Sequence, residues 1–486
     1  MNRYKKLLSN TGLIALGSFG SKLIVFFMVR FYTACLTEAQ YGTADLIMDT
    51  AKLLMPLICL GITEGVFRFG MDEEGDKRDV FTVGLLTVLS GCSLFAIVLP
   101  LLGLTDFRPY IWLIAAFVLC ANLHSLVSYY IRTRDHFRFY AVQGILNTAL
   151  VVGFNLLFLL GFGWKVEGYV LSVVLADFIT FCVVFVKEKL WTEWKDPRKV
   201  DRARAGAMLR YSLPLIPTTI FWWITSVSDR FMVKWMVGDA ANGLYTASNK
   251  ILTIISLVCT VFIQAWNFSS VAEKDEEERS KFFTTTFAAF SGLLFIAGAG
   301  VIFLCQGFST VLFARDYFTA WQCIPILTLA TIFSSFVSFT GSMYTVRKKS
   351  VAAFVTAAVG AGVNVVLNSV LIPEELFGLK MAGLGAIGAA IATVASYLAV
   401  FLIRAATTKK YVDFKLGTGR LIASCALLSA MAALFILRLP ADYGAQFLPY
   451  VGENGLTYGI AAALALAVVV INAAPLLRGL KTILKK

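Results

Sequence analysis

The chain has 486 residues, of which 58% are hydrophobic and only 15% are charged. Soluble domains have roughly 25% charged residues, so this chain has too few polar side chains to cover several water-exposed domains. Together with 40 Phe and 9 Trp residues, this composition indicates a polytopic membrane protein whose outer surface faces lipid.

The net charge of +13 is explained by membrane topology rather than by a nucleic-acid partner. Lys and Arg fall mostly in short segments between apolar runs, not in one patch with interleaved aromatic residues. The nine cysteines are spread singly and form no C-x-x-C pair, which argues against a disulfide scaffold or a zinc site. We therefore expect no nucleic acid, no metal and no cofactor.

Apolar runs long enough to cross a bilayer as helix, about 20 residues each, recur along the whole chain. The runs are continuously apolar rather than alternating, which favours helices over barrel strands and predicts an all-α membrane protein. The first run follows a basic start but has no small-residue cleavage site, so we interpret it as a retained span. The fourteen predicted spans lie near residues 12–34, 41–66, 80–104, 109–131, 138–162, 164–187, 211–237, 243–271, 282–306, 321–345, 351–373, 381–404, 418–438 and 456–476.

Basic residues predict the orientation of these spans. Of the 43 Lys and Arg residues, 32 fall in segments on one side of the membrane and five on the other. The side with more basic residues is expected to be cytoplasmic, and both termini lie on it. The remaining six basic residues fall within spans.

An internal repeat divides the chain. The polar stretch Lys187–Arg210 separates six spans from the next six, and Gly163–Gly168 reappears in similar form as Gly378–Gly383. Six is even, so both copies enter from the same side, which is typical of a parallel repeat with a substrate pathway between two bundles. The predicted domains are an N-lobe at 1–190, a cytoplasmic linker at 191–210, a C-lobe at 211–410, and two C-terminal helices with a tail at 411–486.

Ionisable residues within the spans predict a site. A Lys or Arg in mid-span costs about 2.5 to 3.5 kcal/mol on insertion scales, so such residues mark substrate or ion pathways by default. The first two spans of each half carry most of them, and symmetry would gather them around one central opening. They are Lys22, Arg30, Asp45, Asp49, Lys52, Asp229, Arg230, Lys234 and Lys250.

Simpler interpretations remain open for each member. Local neutralisation would pair Arg30 with Asp45, Asp49 with Lys52, and Asp229 with Lys250. Lys234 lies near a span end, where its side chain can reach the interface.

Four residues outside this cluster also have local interpretations. Glu64 and Arg68 are spaced as a pair on one helix face. Asp177, alone in the sixth span, is a candidate proton or cation carrier or a helix–helix hydrogen-bond partner, and His124 is most simply such a partner.

Short motifs add a family resemblance. Asp229–Arg230 in the seventh span and Gly243–Leu244–Tyr245 opening the eighth, with Lys250 following, are similar to patterns of the multidrug/oligosaccharidyl-lipid/polysaccharide (MOP) flippase superfamily. Asn10–Thr11 and Tyr41–Gly42 are similar to its opening spans. Over essentially its whole length the chain most resembles the polysaccharide-transport branch, which includes the O-antigen flippases.

This resemblance implies two six-helix lobes in a V shape, with alternating access, in a monomeric protein of the bacterial cytoplasmic membrane. The implied cargo is an oligosaccharide linked to a polyprenyl diphosphate of the undecaprenyl type, moved from the inner to the outer leaflet. A gradient of H+ or Na+ would drive the transport.

The balance of charge within the spans of the cluster favours an anionic cargo. Lys and Arg supply the charge-assisted hydrogen bonds that replace the water around a diphosphate, and these spans carry six basic against four acidic residues. The diphosphate candidates are Lys22, Arg30, Lys52, Arg230 and Lys250, and the ion-coupling candidates are Asp45, Asp49, Asp177 and Asp229.

Two other functions stay open at this point. One is a multidrug or cation antiporter of the same fold. The other is a membrane glycosyl or acyl transferase, which the short external loops and the lack of a D-x-D motif or an external histidine disfavour. No enzyme activity is predicted.

Overall fold

The computed structural model describes residues 20, 23–72, 76–104, 106–134, 136–272, 276–346, 350–409, 415–442 and 447–484. Within these ranges the protein is almost entirely helical, with one two-stranded hairpin, and the prediction of an all-α membrane protein is confirmed. The helices up to the middle of the chain are α1 Leu23–Cys35, α2 Glu38–Ile58, α3 Ile62–Gly70, α4 Lys77–Val98, α5 Ile111–Thr133, α6 Phe137–Asn155, α7 Val166–Lys187, α8 Arg202–Ser212 and α9 Ile216–Met236. The later elements are α10 Asp239–Ile251, α11 Thr253–Ala272, α12 Glu276–Phe303, α13 Cys305–Leu312, α14 Ile324–Val346, α15 Ser350–Leu371, β1 Glu375–Leu376, β2 Leu379–Lys380, α16 Gly385–Thr408, α17 Thr418–Arg438, α18 Phe447–Glu453 and α19 Gly455–Leu484.

Fewer helices have the length and hydropathy of a membrane span than the sequence predicts. In the part of the chain that the structure describes, ten helices are long and apolar enough to cross a membrane, or eleven if the bent pair α2 and α3 forms one span. Helices occupy the described parts of the fourteen predicted spans, the first of which lies partly outside the described residues, but the count of fourteen is not confirmed. Helix α9 is not among the ten, since Asp229, Arg230 and Lys234 lower its hydropathy.

The chain forms two compact units. The N-terminal unit contains Met1–Met28 and Gln40–Trp223, and the C-terminal unit contains Val29–Ala39 and Ile224–Lys486. The predicted bounds of the lobes and linker stay a prediction.

The core of the N-terminal unit is apolar and lies around α3, α4 and α5. Val66, Phe81 and Tyr130 are almost completely buried there, and the Phe81 and Tyr130 rings lie 4.9 Å apart. This packing fixes the neighbouring helix faces that carry polar groups. Burial of each such large side chain contributes about 1.5 to 3 kcal/mol.

A sharp break separates α2 from α3 in the N-terminal unit. The two helices meet at 60°, and Leu60 and Gly61 between them have φ values of 53° and 61°. Left-handed backbone is readily adopted by glycine and is costly for leucine, while Pro56 lacks the amide hydrogen that would continue the helical ladder. The break places Lys52 on one side of the bend and Glu64 on the other.

Residues 29–39 pack within the C-terminal unit although they lie near the start of the chain. The Leu36 carbonyl oxygen accepts a hydrogen bond of 2.9 Å from the Tyr317 hydroxyl. The Thr33 hydroxyl oxygen accepts one of 2.9 Å from the Ala314 amide. These bonds satisfy backbone and side-chain groups that would otherwise be costly to bury.

The repeated glycine segments have similar local backbone. Gly163 and Gly378 both have positive φ, 67° and 80°, as turns between helices require of a residue without Cβ. In the C-terminal unit the segment also contains strand β2, which pairs antiparallel with the preceding β1, with Glu375 opposite Lys380.

Arg404 is a buried cation near the end of α16, which continues to Thr408. Its guanidinium donates to the Val337 carbonyl oxygen at 2.8 Å and to the Thr356 hydroxyl at 3.0 Å. The helix ends four residues beyond the predicted span 381–404, because hydropathy places helix ends only to within several residues.

Candidate functional site

The first candidate group lies on α2 in the N-terminal unit. Lys52 Nζ forms an ion pair of 2.9 Å with Asp49 Oδ1, one helical turn away, so local neutralisation occurs here. The Asp49 side chain is 7% exposed, whereas the Lys52 side chain is 53% exposed. The Asp49 carbonyl oxygen accepts a 3.0 Å hydrogen bond from the Trp223 indole. Trp223 therefore holds the backbone of α2 at Asp49, while the Lys52 ammonium keeps access to a ligand.

A cavity of about 330 Å³ with a mainly apolar lining and several polar groups adjoins this ion pair. Its wall contains Lys52, Glu64, Asn122 and Tyr129, together with apolar residues on both sides of the α2–α3 break. Glu64 accepts a 3.4 Å hydrogen bond from the Tyr129 hydroxyl. The cavity thus offers one cation and several hydrogen-bonding groups within a largely apolar unit.

The prediction that Arg68 pairs with Glu64 was wrong. Arg68 forms its ion pair with Asp72, at 2.6 Å, rather than with Glu64. Both spacings are one helical turn, and Glu64 instead faces the cavity.

The second candidate group surrounds Asp229 in the C-terminal unit. The Asp229 side chain is buried on α9, where its Oδ1 accepts from the Arg230 amide at 2.9 Å. Its Oδ2 accepts from the hydroxyls of Tyr245 at 2.5 Å and Thr393 at 3.2 Å. A buried carboxylate needs such donors, because an unpaired charge is very costly in an apolar medium.

The Gly243–Leu244–Tyr245 motif now has a physical explanation. A Cβ added at Gly243 would overlap the carbonyl oxygen of Glu38, so only glycine allows α10 to approach the start of α2 this closely. Two residues later, Tyr245 is fully buried and donates to Asp229. The glycine and the tyrosine therefore serve the close approach and the carboxylate respectively.

Two buried amides on α15 bond to each other, and one of them bonds to Ser228, the residue before Asp229 on α9. Ser228 donates to Asn364 Oδ1 at 2.8 Å, and Asn368 donates to the same oxygen at 3.0 Å. Asn364 and Asn368 are fully buried on α15. Hydroxyl, amide and carboxylate oxygens are the ligands that hard cations prefer.

The third candidate group surrounds Asp177 and contains a histidine. Asp177 Oδ1 lies 2.9 Å from His124 Nδ1 and accepts a 2.9 Å hydrogen bond from the Asn147 amide. The other ring nitrogen of His124 lies 2.8 Å from Gln143 Oε1. These residues join α5, α6 and α7, as expected of a helix–helix hydrogen bond, but the sequence contained no local signal for a pair 53 residues apart.

The other predicted site residues have varied positions. Arg30 is exposed, Asp45 is almost completely buried, and Arg230 and Lys250 are partly buried. Lys22 lies outside the described residues. The structure joins Asp49 with Lys52 and surrounds Asp229 with donors; the gathering of both halves' charges around one opening stays a prediction.

Lys234 at the end of α9 interacts with a charge that follows the helix. It forms an ion pair of 3.3 Å with Asp239, whose side chain is 48% exposed. The Lys234 side chain itself is 12% exposed, and its interfacial role stays a prediction. Within the described ranges, no group of three or more His, Cys, Asp or Glu residues is arranged to hold a metal ion.

Comparison with known proteins gives a family and a fold. The model of a family described as polysaccharide biosynthesis protein matches residues 7–268, more than half of the chain. A search by sequence among curated proteins gives no match.

Solved structures of similar fold are transporters and flippases. A lipid II flippase, MurJ, in an inward closed conformation matches with a TM-score of 0.65 and 14% identity, covering 93% of this chain and 98% of its own. An outward-facing multidrug resistance MATE family transporter matches with a TM-score of 0.57 and 14% identity, covering 84% and 96%. A MOP superfamily transporter from Pyrococcus furiosus matches with a TM-score of 0.56 and 12% identity, covering 83% and 95%. The predicted MOP fold is therefore confirmed.

Proposed function

Since this chain belongs to the polysaccharide biosynthesis protein family, we propose that it flips a lipid-linked oligosaccharide across the membrane. The cargo is a polysaccharide repeat unit on a polyprenyl diphosphate of the undecaprenyl type. The fold shared with a lipid II flippase supports a lipid cargo. Transport proceeds by alternating access in a monomer of the bacterial cytoplasmic membrane, with both termini cytoplasmic.

The observation that carries this proposal is that the half-exposed Lys52 side chain lies at the cavity beside the α2–α3 break. A diphosphate oxygen is a strong acceptor for an ammonium and can compete with Asp49 for it. Glu64, Asn122 and Tyr129 then offer hydrogen bonds to sugar hydroxyls. The apolar setting strengthens each of these interactions relative to water.

The remaining basic candidates complete the proposed diphosphate set. Lys22, Arg30, Arg230 and Lys250 supply cations on the first, seventh and eighth predicted spans. Arg30 is exposed, which suits a residue that takes a ligand.

Ion coupling is assigned to the carboxylates. Asp229 is the candidate for Na+, because its carboxylate and the Thr393 hydroxyl that it contacts offer oxygen ligands, and the adjacent Ser228 bonds to the amide oxygen of Asn364. Asp45, Asp49 and Asp177 are the further candidates. A bound cation changes the balance of charge around Arg230 and Lys52 and so biases which conformation is favoured.

Flipping is tested in proteoliposomes with a polyprenyl-diphosphate-linked disaccharide, whose leaflet is read by a membrane-impermeant sugar-oxidising reagent. Lys52→Ala is expected to reduce the flipping rate at least tenfold, the loss of about 1.4 kcal/mol of transition-state stabilisation. Lys52→Arg should retain much of the rate, since it keeps the cation. Arg315→Ala is the matched control, because Arg315 forms an exposed ion pair with Asp442.

Two results would contradict the proposal. Equal flipping by Lys52→Ala and the unchanged protein would remove Lys52 from cargo binding. Gradient-driven efflux of cationic dyes without lipid flipping would favour the multidrug antiporter instead.

A further inference from the structure

The His124 ring lies in a hydrogen-bond network that has two complete protonation states. It is largely buried, with 17% of its side chain exposed, and so is Asp177 at 13%. Both groups lie within membrane-spanning helices, α5 and α7. A buried carboxylate beside a histidine in a span is a functional position by default, because it is costly to maintain.

Both ring nitrogens face oxygen atoms. Nδ1 lies 2.9 Å from Asp177 Oδ1, and Nε2 lies 2.8 Å from Gln143 Oε1. A carboxylate and an amide oxygen only accept, so both nitrogens must donate, and only the imidazolium has two N–H groups. With the Gln143 amide in this orientation, the arrangement is an imidazolium–carboxylate pair whose second N–H, on Nε2, donates to the amide oxygen.

Rotation of the Gln143 amide creates the second state. With its nitrogen and oxygen exchanged, Gln143 donates to a neutral His124 Nε2, while Nδ1–H still donates to Asp177. Ser128 lies 3.3 Å from the same Gln143 atom and can donate or accept as required. Asn147 keeps its hydrogen bond to Asp177 in both states.

Other titratable groups near this network are thiols. Cys120 on α5 interacts electrostatically with Asp177, with Cys182 on α7 and with Cys92 on α4. On α6 the groups that face the network are the neutral amides of Gln143 and Asn147. Among the described residues that interact with His124, Asp177 is the charged one.

We propose that His124 and Asp177 form a proton-binding site in which one proton is loaded and released at His124 Nε2 during transport. This inference rests on the proposed ion-coupled function and names the proton as the ion bound in the N-terminal unit. On loading, a proton from water joins the Nε2 lone pair, and Gln143 turns its oxygen to it. On release, the proton returns to water and Gln143 turns its amide N–H to Nε2, while Asp177 stays ionised.

The state of the ring is read directly by ¹⁵N NMR of histidine-labelled, full-length protein in micelles. The chain has only two histidines, and His136, which lies 2.8 Å from Glu188 and is 44% exposed, is outside the spans. His136→Gln therefore leaves a single histidine signal and is the matched control. Imidazolium nitrogens are expected for His124 at pH 7, and Asp177→Asn should convert the ring to the neutral form.

A second variant keeps the test independent of Asp177. Gln143→Met removes the amide that serves both states and should broaden or shift the His124 transition without removing it. A His124 ring that is neutral from about pH 5 to about pH 9, or unaffected by Asp177→Asn, would overturn the proposal.

Transport assays separate this site from the proposed cargo. In proteoliposomes, His124→Gln should lose the stimulation of flipping by a proton gradient, whereas His136→Gln should keep both this stimulation and the rate without a gradient. Retained stimulation in both variants would overturn the proton site but leave flipping intact. Proton binding seen by NMR without any lipid flipping would instead contradict the proposed function.

Discussion

Asp177 in the N-terminal unit and Asp229 in the C-terminal unit are both buried, but different donors hold them. Asp177 meets a titratable ring and a neutral amide. Asp229 meets two hydroxyls and a backbone amide. Since hydroxyls do not change charge near neutral pH, we expect the first site to respond to protons and the second to respond to cations that replace the hydroxyl hydrogen bonds.

The largest effect is expected from the carboxylates themselves. Asp229→Asn removes the charge that a cation needs and should reduce sodium-gradient-driven flipping more than tenfold, a change of over about 1.4 kcal/mol. Asp177→Asn should act on the proton-gradient component instead. Flipping rates under separate H+ and Na+ gradients check this comparison. Loss of both components in either variant would show that the two carboxylates form one coupled system.

Among the effects on the free energy of unfolding, we expect the largest from a substitution at Gly243, where α10 closely approaches α2. Gly243→Ala forces the backbone of α10 away from Glu38, at a cost of about 3 kcal/mol in the free energy of unfolding, the upper part of the range for overpacking. Gly300→Ala is its control within the same unit, because its added Cβ meets nothing within 4 Å. That control should stabilise the protein by about 0.5 to 1 kcal/mol. Unfolding in mixed micelles measures both, and equal stability of the two variants would contradict the approach.

Tyr245→Phe tests how much the hydroxyl contributes at Asp229. The variant removes one hydrogen bond to a buried carboxylate and should lower the free energy of unfolding by about 1.5 to 3 kcal/mol. Thr393→Val removes the longer bond and should cost less. If Tyr245→Phe unfolded at the same denaturant concentration as the unchanged protein, the hydroxyl would not stabilise Asp229. The Asp177 and Asp229 sites would then differ less than we infer.

We expect the smallest effect on the free energy of unfolding at Asp76, a surface carboxylate that serves as a reference for the buried Asp177 and Asp229. Asp76 caps α4 by accepting from the Arg78 amide at 2.9 Å, and this backbone hydrogen bond, followed by the bond from Lys195, lowers the pKa of Asp76 below its usual value. A lowered pKa in the folded state stabilises the protein above the unfolded pKa, about 3.9, and this stabilisation is lost as the pH falls through the folded value. Asp76→Ala should cost about 1 kcal/mol near neutral pH and nothing in strong acid. Unfolding at several pH values measures this, and a cost that does not change with pH would rule out the charge as its cause.

The sequence predicted the local features well and the long-range ones poorly. Apolar runs locate helices because each helix in lipid satisfies its own backbone, and spacing on one helix predicted the Asp49–Lys52 pair. His124 and Asp177 lie 53 residues apart, so no periodicity connects them. His124 and Asp177 are polar residues near the middle of two apolar helices, α5 and α7. Pairing such residues between spans is the signal that could have found this contact.

The break between α2 and α3 was also beyond the sequence. Leu60 adopts a left-handed backbone that its side chain disfavours, so composition predicted one continuous span through it. Packing around Gly61, where an added Cβ would lie 3.4 Å from the Ser212 carbonyl oxygen, acts together with Pro56 and the glycine itself at the bend. This is a tertiary effect that overrides local preference.

The hydrogen bonds of Thr33 and Leu36 have a consequence for biosynthesis. Their partners lie 281 residues later in the chain. At about 5 to 20 residues per second, the ribosome needs roughly 14 to 56 s to deliver those partners after the first helix has left it. Throughout that interval the nascent chain contains the complete helix α1, but the hydrogen-bond partners of Thr33 and Leu36 have not yet been synthesised. A membrane chaperone or protease that recognises the end of α1 in this state can act only within this time.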